Sequence, residues 1–411
     1  MSVSAKIIDR INACEEATNG EKKPFISLEY FPPRSDEGLK NLNKRMERMR
    51  TSIEPLFSDI TWGAGGSTAD LTMKITKHMH ETGHTTNMHL TCTNMEKDGD
   101  PKKAVYEALQ DCHAAGVRNI VALRGDPAEG QEEWKATEGG FSCALDLVKY
   151  IRENFGNDFG ISVAGYPEGH PNAISKIEND QTLTPAEQNR CCVIDGLTYA
   201  CLDADYEKEL DYLKQKIDAG ADFIITQMFF DADTFIAFVK DCRRKGINCP
   251  IVPGLMCINN YGGFKKMTGF CKTRVPKELA AKMDTFKDTK DDPAVKQFGI
   301  DFGIEISKKL VDSGLVPGLH FYTLNLEFVV NGILNGLGLF SKVDENADAD
   351  EKTMQAVGSA WARVGDTVKS DHGVGVLKEV RADGTAVIEM NEESADGKKI
   401  VEVKRGAYNK C

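Results

Sequence analysis

Between residues 25 and 340 the chain repeats one change of texture eight times: a short β-branched or aromatic run, then a stretch with helical period. The runs are FISLEYF (25–31), DITWG (59–63), TNMHLTC (86–92), RNIVALRGD (118–126), GISVAGYP (160–167), ADFIITQMF (221–229), PIVPGLM (250–256) and LVPGLHFYTLN (315–325). Helical segments are expected at 68–82, 102–115, 140–154, 206–219 and 231–245, and Gly83, Gly116, Gly220 and Gly246 stand where helix C-caps favour glycine. Alternating β and α units build a parallel sheet, and eight of them fit a (β/α)8 TIM barrel, an α/β fold of ~250 residues plus insertions. A doubly wound open sheet is the runner-up. Against it, no G-x-G-x-x-G follows the first strand and no G-x-x-x-x-G-K occurs.

The remaining segments sort by composition. Residues 1–24 read as an N-terminal helical segment, 25–340 as the barrel, 341–354 as an acidic linker and 355–411 as a small β-rich extension with a turn at Asp383-Gly384. That extension is either an interaction or dimerisation module or a passive appendage. Residues 171–205 form a long polar insertion after the fifth strand, at the rim where barrel enzymes carry their sites. A lid and a variable surface loop are both open readings of it.

Lys and Arg total 51 against 63 Asp and Glu, a net charge of −12, which argues against nucleic acid or an anionic membrane as partner. No run approaches the ~20 apolar residues of a membrane span. The start, MSVSAKIIDR, lacks an apolar signal segment, so a cytoplasmic location is expected. The sequence is compatible with a homo-oligomer but does not specify one. The 12 cysteines include no C-x-x-C, with Cys191 and Cys192 adjacent in the insertion. His78, His80 and His84 fall on one expected helix without H-E-x-x-H, so no metal is expected.

In a barrel strand alternate residues face inward, and those near the C-terminal end reach the site. In the first strand Ile26, Leu28 and Tyr30 suit the helix layer, which leaves Glu29 inward. In the third, Met88 and Leu90 pack outward and His89 faces in. In the fourth, Val121 and Leu123 pack while Arg124 and Asp126 point in. Gln227 lies opposite Thr226 and Met228, His320 pairs with Tyr322, and the second strand offers Thr61. Each residue alone has a plainer reading, such as an end-of-strand charge, a turn, a core histidine or a cap. Six strands each placing a polar group at one end point jointly to an active site, without fixing its chemistry.

The stretches SLEYFPPRSDEG, DITWGAGGST, MHLTCTN, GVRNIVALRGDP, AGYPEGHP, AGADFIITQMFFD, CPIVPGLM and SGLVPGLHFYTLN occur in this order over residues 25–340. In that series the chain resembles the methylenetetrahydrofolate reductase family. The resemblance implies a TIM barrel that holds FAD at its rim and uses NAD(P)H to reduce methylenetetrahydrofolate to 5-methyltetrahydrofolate in a ping-pong cycle. It implies that Glu29 is the general acid at folate N10, a role that calls for a raised carboxyl pKa. It implies that Asp126 holds the pterin beside the flavin, and that Gln227 meets pterin and nicotinamide in turn. Thr61, Trp62, His89, Arg124, Gly125, Asp126, Ala144, Tyr166, His170 and Lys216 fall on FAD positions. Glu29, Asp126, Gln227 and Tyr322 fall on substrate positions. Arg124 and Lys216 would offset the pyrophosphate charge.

The chain departs from the family pattern in places. Leu326 stands where arginine usually follows YTLN, Asn259 matches a usual glutamine, and Glu209 aligns with an aspartate beyond AGYP. The animal-type S-adenosylmethionine-binding regulatory domain is expected to be absent. Two alternatives stay open: a flavin- or folate-binding barrel without turnover, and another barrel enzyme of one-carbon metabolism, such as a zinc-dependent methyltransferase.

Overall fold

The structure, a computed structural model, describes residues 4–17, 23–63, 68–92, 98–126, 134–178, 181–288 and 293–339. In the C-terminal part it describes 367–370, 373–380, 385–390, 400–404 and 408–410.

Nine parallel strands form one sheet: β1 (Phe25–Tyr30), β2 (Phe57–Ile60), β3 (Thr86–Thr91), β4 (Asn119–Leu123), β5 (Gly160–Gly165), β9 (Phe223–Thr226), β10 (Ile251–Val252), β11 (Gly254–Met256) and β12 (Gly318–Tyr322). Their order is β10-β9-β5-β4-β3-β2-β1-β12-β11. The two ends of that row, β10 and β11, are halves of one run divided at Pro253, a residue with no N–H to give the ladder. Ile251 and Val252 pair with Ile224 and Ile225 of β9. Gly254 to Met256 pair with His320 to Tyr322 of β12. One broken strand therefore bridges both edges, and eight strand positions close into the expected (β/α)8 barrel.

Seven of the eight expected runs contain their strands. The second is displaced: Phe57 and Ser58 already pair with Ser27 and Leu28, so the strand spans 57–60 and Thr61 to Gly63 run on as rim. The helices read equally directly. Helix Asp36–Ile53 starts on Ser35, whose side chain accepts from the Gly38 N–H, and stops at Glu54 in the left-handed region with φ 53°. Its buried Leu42, Met46, Met49 and Ile53 recur at helical spacing and pack in the outer core with Leu28 and Tyr30. The helix expected to hold three histidines ends at Glu81, so His84 lies beyond it.

Strand alternation divides the core into two layers. Leu28, Tyr30, Met88, Leu90, Ile120, Ala122, Ile161, Val163, Ile224 and Phe321 pack toward the helices. Phe25, Phe57, Phe223, Ile225 and Val252 fill the barrel, and Ile7 and Ile11 of helix Ile7–Ala17 join that cluster. Phe57 stands 6.0 Å from both Phe25 and Phe223 and 5.9 Å from the stacked His320 ring, plugging the end opposite the rim.

The insertion is folded. Strands β6 (Ile174–Lys176), β7 (Cys191–Ile194) and β8 (Leu197–Cys201) make an antiparallel sheet in the order β6-β8-β7. Helix Pro185–Gln188 precedes β7, and Thr184 and Glu187 form its capping box. The next helix begins at Asp203, inside the expected insertion boundary. Beyond the barrel, β13 (Thr367–Ser370), β14 (Gly373–Val380), β15 (Thr385–Met390), β16 (Ile400–Lys404) and β17 (Tyr408–Lys410) form an antiparallel sheet ordered β16-β15-β14-β13-β17. The expected turn at 383–384 and the acidic linker lie outside the described residues. Among the described residues every cysteine is free, and no helix is long and apolar enough to cross a membrane.

Candidate active site

The C-terminal ends of the strands surround one cavity of about 1340 Å³, its open mouth included. Glu29, Thr61, Trp62, His89, Arg124, Gly125, Asp126, Tyr166, His170, Gln227 and Tyr322 all line it. Glu29, His89 and Tyr322 come from inward strand positions, which repeat every second residue, and the others come from the segments just beyond the strand ends. Lys216 borders a smaller adjoining cavity with Glu209, and the two cavities share Ala164, Tyr166 and His170. Ala144 is buried at the start of helix Ala144–Phe155 and lines neither cavity.

The fourth strand corrects one expectation. Val121 and Leu123 line the cavity, while Ile120 and Ala122 take the helix-facing side. Arg124 and Asp126 reach the cavity from beyond the strand end, where alternation no longer applies.

The polar half of the cavity centres on three side chains. His89 Nε2 lies 3.1 Å from Asp59 Oδ2 and 3.5 Å from Glu29 Oε2, while the His320 Nε2 lies 3.9 Å from the same Glu29 oxygen. The His320 Nδ1 shares a 2.9 Å hydrogen bond with Ser27 Oγ. Burial alone would push the His89 imidazole down, but the Asp59 hydrogen bond and the charges of Glu29 and Asp59 outweigh it, so His89 titrates above its ordinary range. The backbone carbonyl of Glu29 accepts from Thr323 Oγ1 at 2.7 Å, which ties β1 to the residue after β12. Glu29, Asp59 and His89 also bring ligand-type atoms within 4.8 Å of one another. Two carboxylates and one imidazole at that spacing suit proton sharing, and they also make a donor set for a divalent cation.

Around this centre burial sets the charge. It pushes the Asp126 carboxyl up against the opposing pull of Arg124. His170 is pushed down to about 4 by burial and by the cations Arg124, Lys216 and Lys272. Burial brings Lys216 down to about 8, with Glu209 opposing, and its Nζ donates to the Ala164 carbonyl at 2.9 Å. The opposite wall is apolar: Met228, Met256, Met267, Phe270, Cys271 and Leu324 line it, and Phe270 on the lip is 67% exposed. Of the departures from the family pattern, Asn259 is buried and donates to the Cys257 carbonyl, and Leu326 lies outside the cavity lining.

Sequence reading missed Asp59, Thr91 and the apolar wall. Asp59 stands two residues before Thr61 and Thr91 two after His89, so the same alternation would have found them. Met267, Phe270 and Cys271 sit on a helix and its exit loop, where strand periodicity gives no signal.

Comparison with known proteins adds identity. A family profile described as methylenetetrahydrofolate reductase matches residues 13–338. A Zea mays protein named methylenetetrahydrofolate reductase (NADH) 1 is 48% identical over 338 residues, covering 82% of this chain and 51% of that protein. Methylenetetrahydrofolate reductase 2 of Saccharomyces cerevisiae is 40% identical over 325 residues, covering 79% and 48%. A 5,10-methylenetetrahydrofolate reductase of Pectobacterium carotovorum is 33% identical over 316 residues, covering 76% and 90%. The chain thus spans about half the length of the plant and yeast relatives.

Proposed function

The chain belongs to the methylenetetrahydrofolate reductase family, and from that premise we propose that it reduces 5,10-methylenetetrahydrofolate to 5-methyltetrahydrofolate with NADH or NADPH, through FAD held in the rim cavity. The observation that carries this reading is the convergence of Glu29, Asp126, Gln227 and Tyr322 on a single cavity.

The residues present fit the cofactor. Asp59 Oδ1, Trp62 Nε1 and Thr91 Oγ1 are buried polar atoms of the cavity lining with no hydrogen-bond partner in the protein, a condition that a polar ring edge relieves. Arg124 and Lys216 would hold the pyrophosphate, Thr61, Trp62, His89, Gly125, Tyr166 and His170 would frame the remainder, and Ala144 would act only through the helix it starts. Bound flavin supplies a two-electron carrier between nucleotide and folate.

Glu29 acts as the acid that gives folate N10 its proton, so that the five-membered ring opens to the iminium that accepts hydride. His89, shared between Asp59 and Glu29, keeps the carboxyl oriented toward the cavity. Asp126 accepts from the paired N–H donors of the pterin edge. Gln227 holds its amide oxygen on the Met228 N–H at 2.9 Å, which leaves its NH2 for a ligand. Tyr322 donates to the Thr226 carbonyl at 2.5 Å and lines the cavity where the substrate would sit. The mouth serves nucleotide and folate in turn, which suits ping-pong order.

Anaerobic stopped-flow on the full chain tests the proposal. We expect a yellow protein that either nucleotide bleaches and methylenetetrahydrofolate restores. Colourless protein that takes up no FAD, or bleached protein that folate leaves unchanged, would overturn it.

A further inference from the structure

Glu168 lies between two cavity residues, Tyr166 and His170, yet its side chain leaves the cavity and is buried elsewhere. One oxygen, Oε2, accepts the backbone N–H of Arg274 at 2.7 Å. The other, Oε1, is buried with no hydrogen-bond partner. Arg274 belongs to the loop that follows helix Tyr261–Phe270, and Nη1 of its guanidinium holds Asp231 Oδ2 at 2.7 Å. The same helix and loop supply Met267, Phe270 and Cys271, part of the apolar wall of the cavity.

The inserted sheet meets this junction from the other side. Lys272 Nζ donates to the carbonyls of Pro171 and Ile174, at 3.0 and 3.1 Å. Gly169, at φ 92°, lies so close to β8 that a Cβ there would be 2.5 Å from Cys201 Sγ. No residue of β6, β7 or β8 lines the cavity.

We propose that Glu168 is a positioning residue that latches the 261–276 wall to the rim after β5, and that the inserted sheet braces this latch from outside. The insertion then acts on the ligand's fit against Met267 and Phe270 and leaves the proton chemistry at Glu29 alone. The kinetic consequence rests on the proposed reductase reading; the latch itself does not.

The latch has a pH signature. The groups facing Glu168 are Arg274 and Cys271 from the wall loop, Asp231 after β9 and Cys192 of β7. Burial pushes the Glu168 carboxyl from 4.5 up to about 8, against Arg274. With the latch open and Glu168 in water the group releases its proton near 4.5, so the closed form binds more protons between these values. The latch is therefore firmest at low pH and loosens as pH rises from about 4.5 to 8.

Hydrogen exchange of the full chain, read as protection factors for residues 261–276, tests this without any catalytic assay. Glu168→Ala should lower protection there at least tenfold at pH 7 and leave β1 to β5 unchanged. Glu168→Gln, a neutral isostere, should keep the protection and abolish its fall between pH 5 and 8. Lys272→Met should lower it less than Glu168→Ala does. In turnover, Glu168→Ala should raise the folate KM more than it lowers kcat, with Glu168→Gln restoring KM at pH 7. Unchanged wall protection in Glu168→Ala, a loss spread evenly over the barrel, or an identical pH dependence in Glu168→Gln would each overturn the latch. Protein with the expected exchange pattern but no turnover would overturn the reductase reading and keep the latch.

Discussion

Adding one methyl group at Gly254 should strain the seam that closes the barrel. A Cβ there would lie 2.3 Å from the Thr226 carbonyl oxygen, 2.5 Å from the Tyr322 hydroxyl and 2.6 Å from its ring. These atoms also make the seam's cross-links: Tyr322 donates to the Thr226 carbonyl at 2.5 Å, and the Gly254 N–H donates to Thr226 Oγ1 at 3.1 Å. Overpacking of this kind costs about 1–3 kcal/mol. Losing the tyrosine bond and leaving a buried carbonyl unsatisfied costs about 1–3 kcal/mol more. Gly254→Ala should therefore lose about 2–6 kcal/mol in all, read as a lower urea midpoint at unchanged slope. Tyr322→Phe removes the donor but also one of the clashing atoms, so the double variant should lose less than the sum of the singles, with a coupling of about 0.5–3 kcal/mol. A neutral Gly254→Ala, or singles that add within about 0.5 kcal/mol, would refute the seam as described.

Three further outcomes follow from other parts of the structure. Asp59→Asn removes the first of the influences that hold the His89 imidazole up against burial, so His89 should titrate lower by NMR, and an unchanged or higher value would contradict the assignment. Phe57→Ala empties a fully buried ring from the plugged end of the barrel and should cost about 3–5 kcal/mol in denaturant unfolding, with a cost under about 1 refuting its packing role. Lys216 is charged up to pH 10.5 when unfolded but only to about 8 when folded, so its penalty is full below pH 8 and fades toward 10.5. Stability of the parent relative to Lys216→Met should rise across that window by on the order of 3 kcal/mol, and a flat difference would contradict the burial argument.

What was legible in the sequence follows from periodicity. A strand buried in a closed barrel must alternate, so Glu29, His89 and Gln227 could be placed inward from their neighbours alone. The rule failed where its premise failed. Val121 and Leu123 are apolar yet face in, because a barrel interior takes apolar side chains as readily as the helix layer does, and hydrophobicity alone does not tell the two faces of a doubly buried strand apart. Arg124 and Asp126 reached the cavity from a loop, so their agreement with the expectation owes nothing to alternation. The second strand slid by two residues because Phe57 and Ser58 carry no local signal that separates them from the preceding turn; pairing with β1 makes them strand. The insertion hid its sheet for a related reason: β6 is three residues long, and β7 and β8 face each other across Asp195-Gly196 with exposed Val193 and Leu197, so neither shows a clean buried face. Glu168 was invisible as a buried carboxyl, since its partner Arg274 lies 106 residues away.

The central claim is that Glu29 supplies the proton for folate reduction from within a cavity shared by both substrates. Glu29→Gln, followed through the two half-reactions separately in anaerobic stopped-flow, tests it most directly. Flavin reduction by nucleotide should keep its rate, while reoxidation by methylenetetrahydrofolate should fall by roughly 10²- to 10⁴-fold, the usual worth of a positioned general acid. Equal losses in both halves, or folate reduction that survives the substitution, would contradict it.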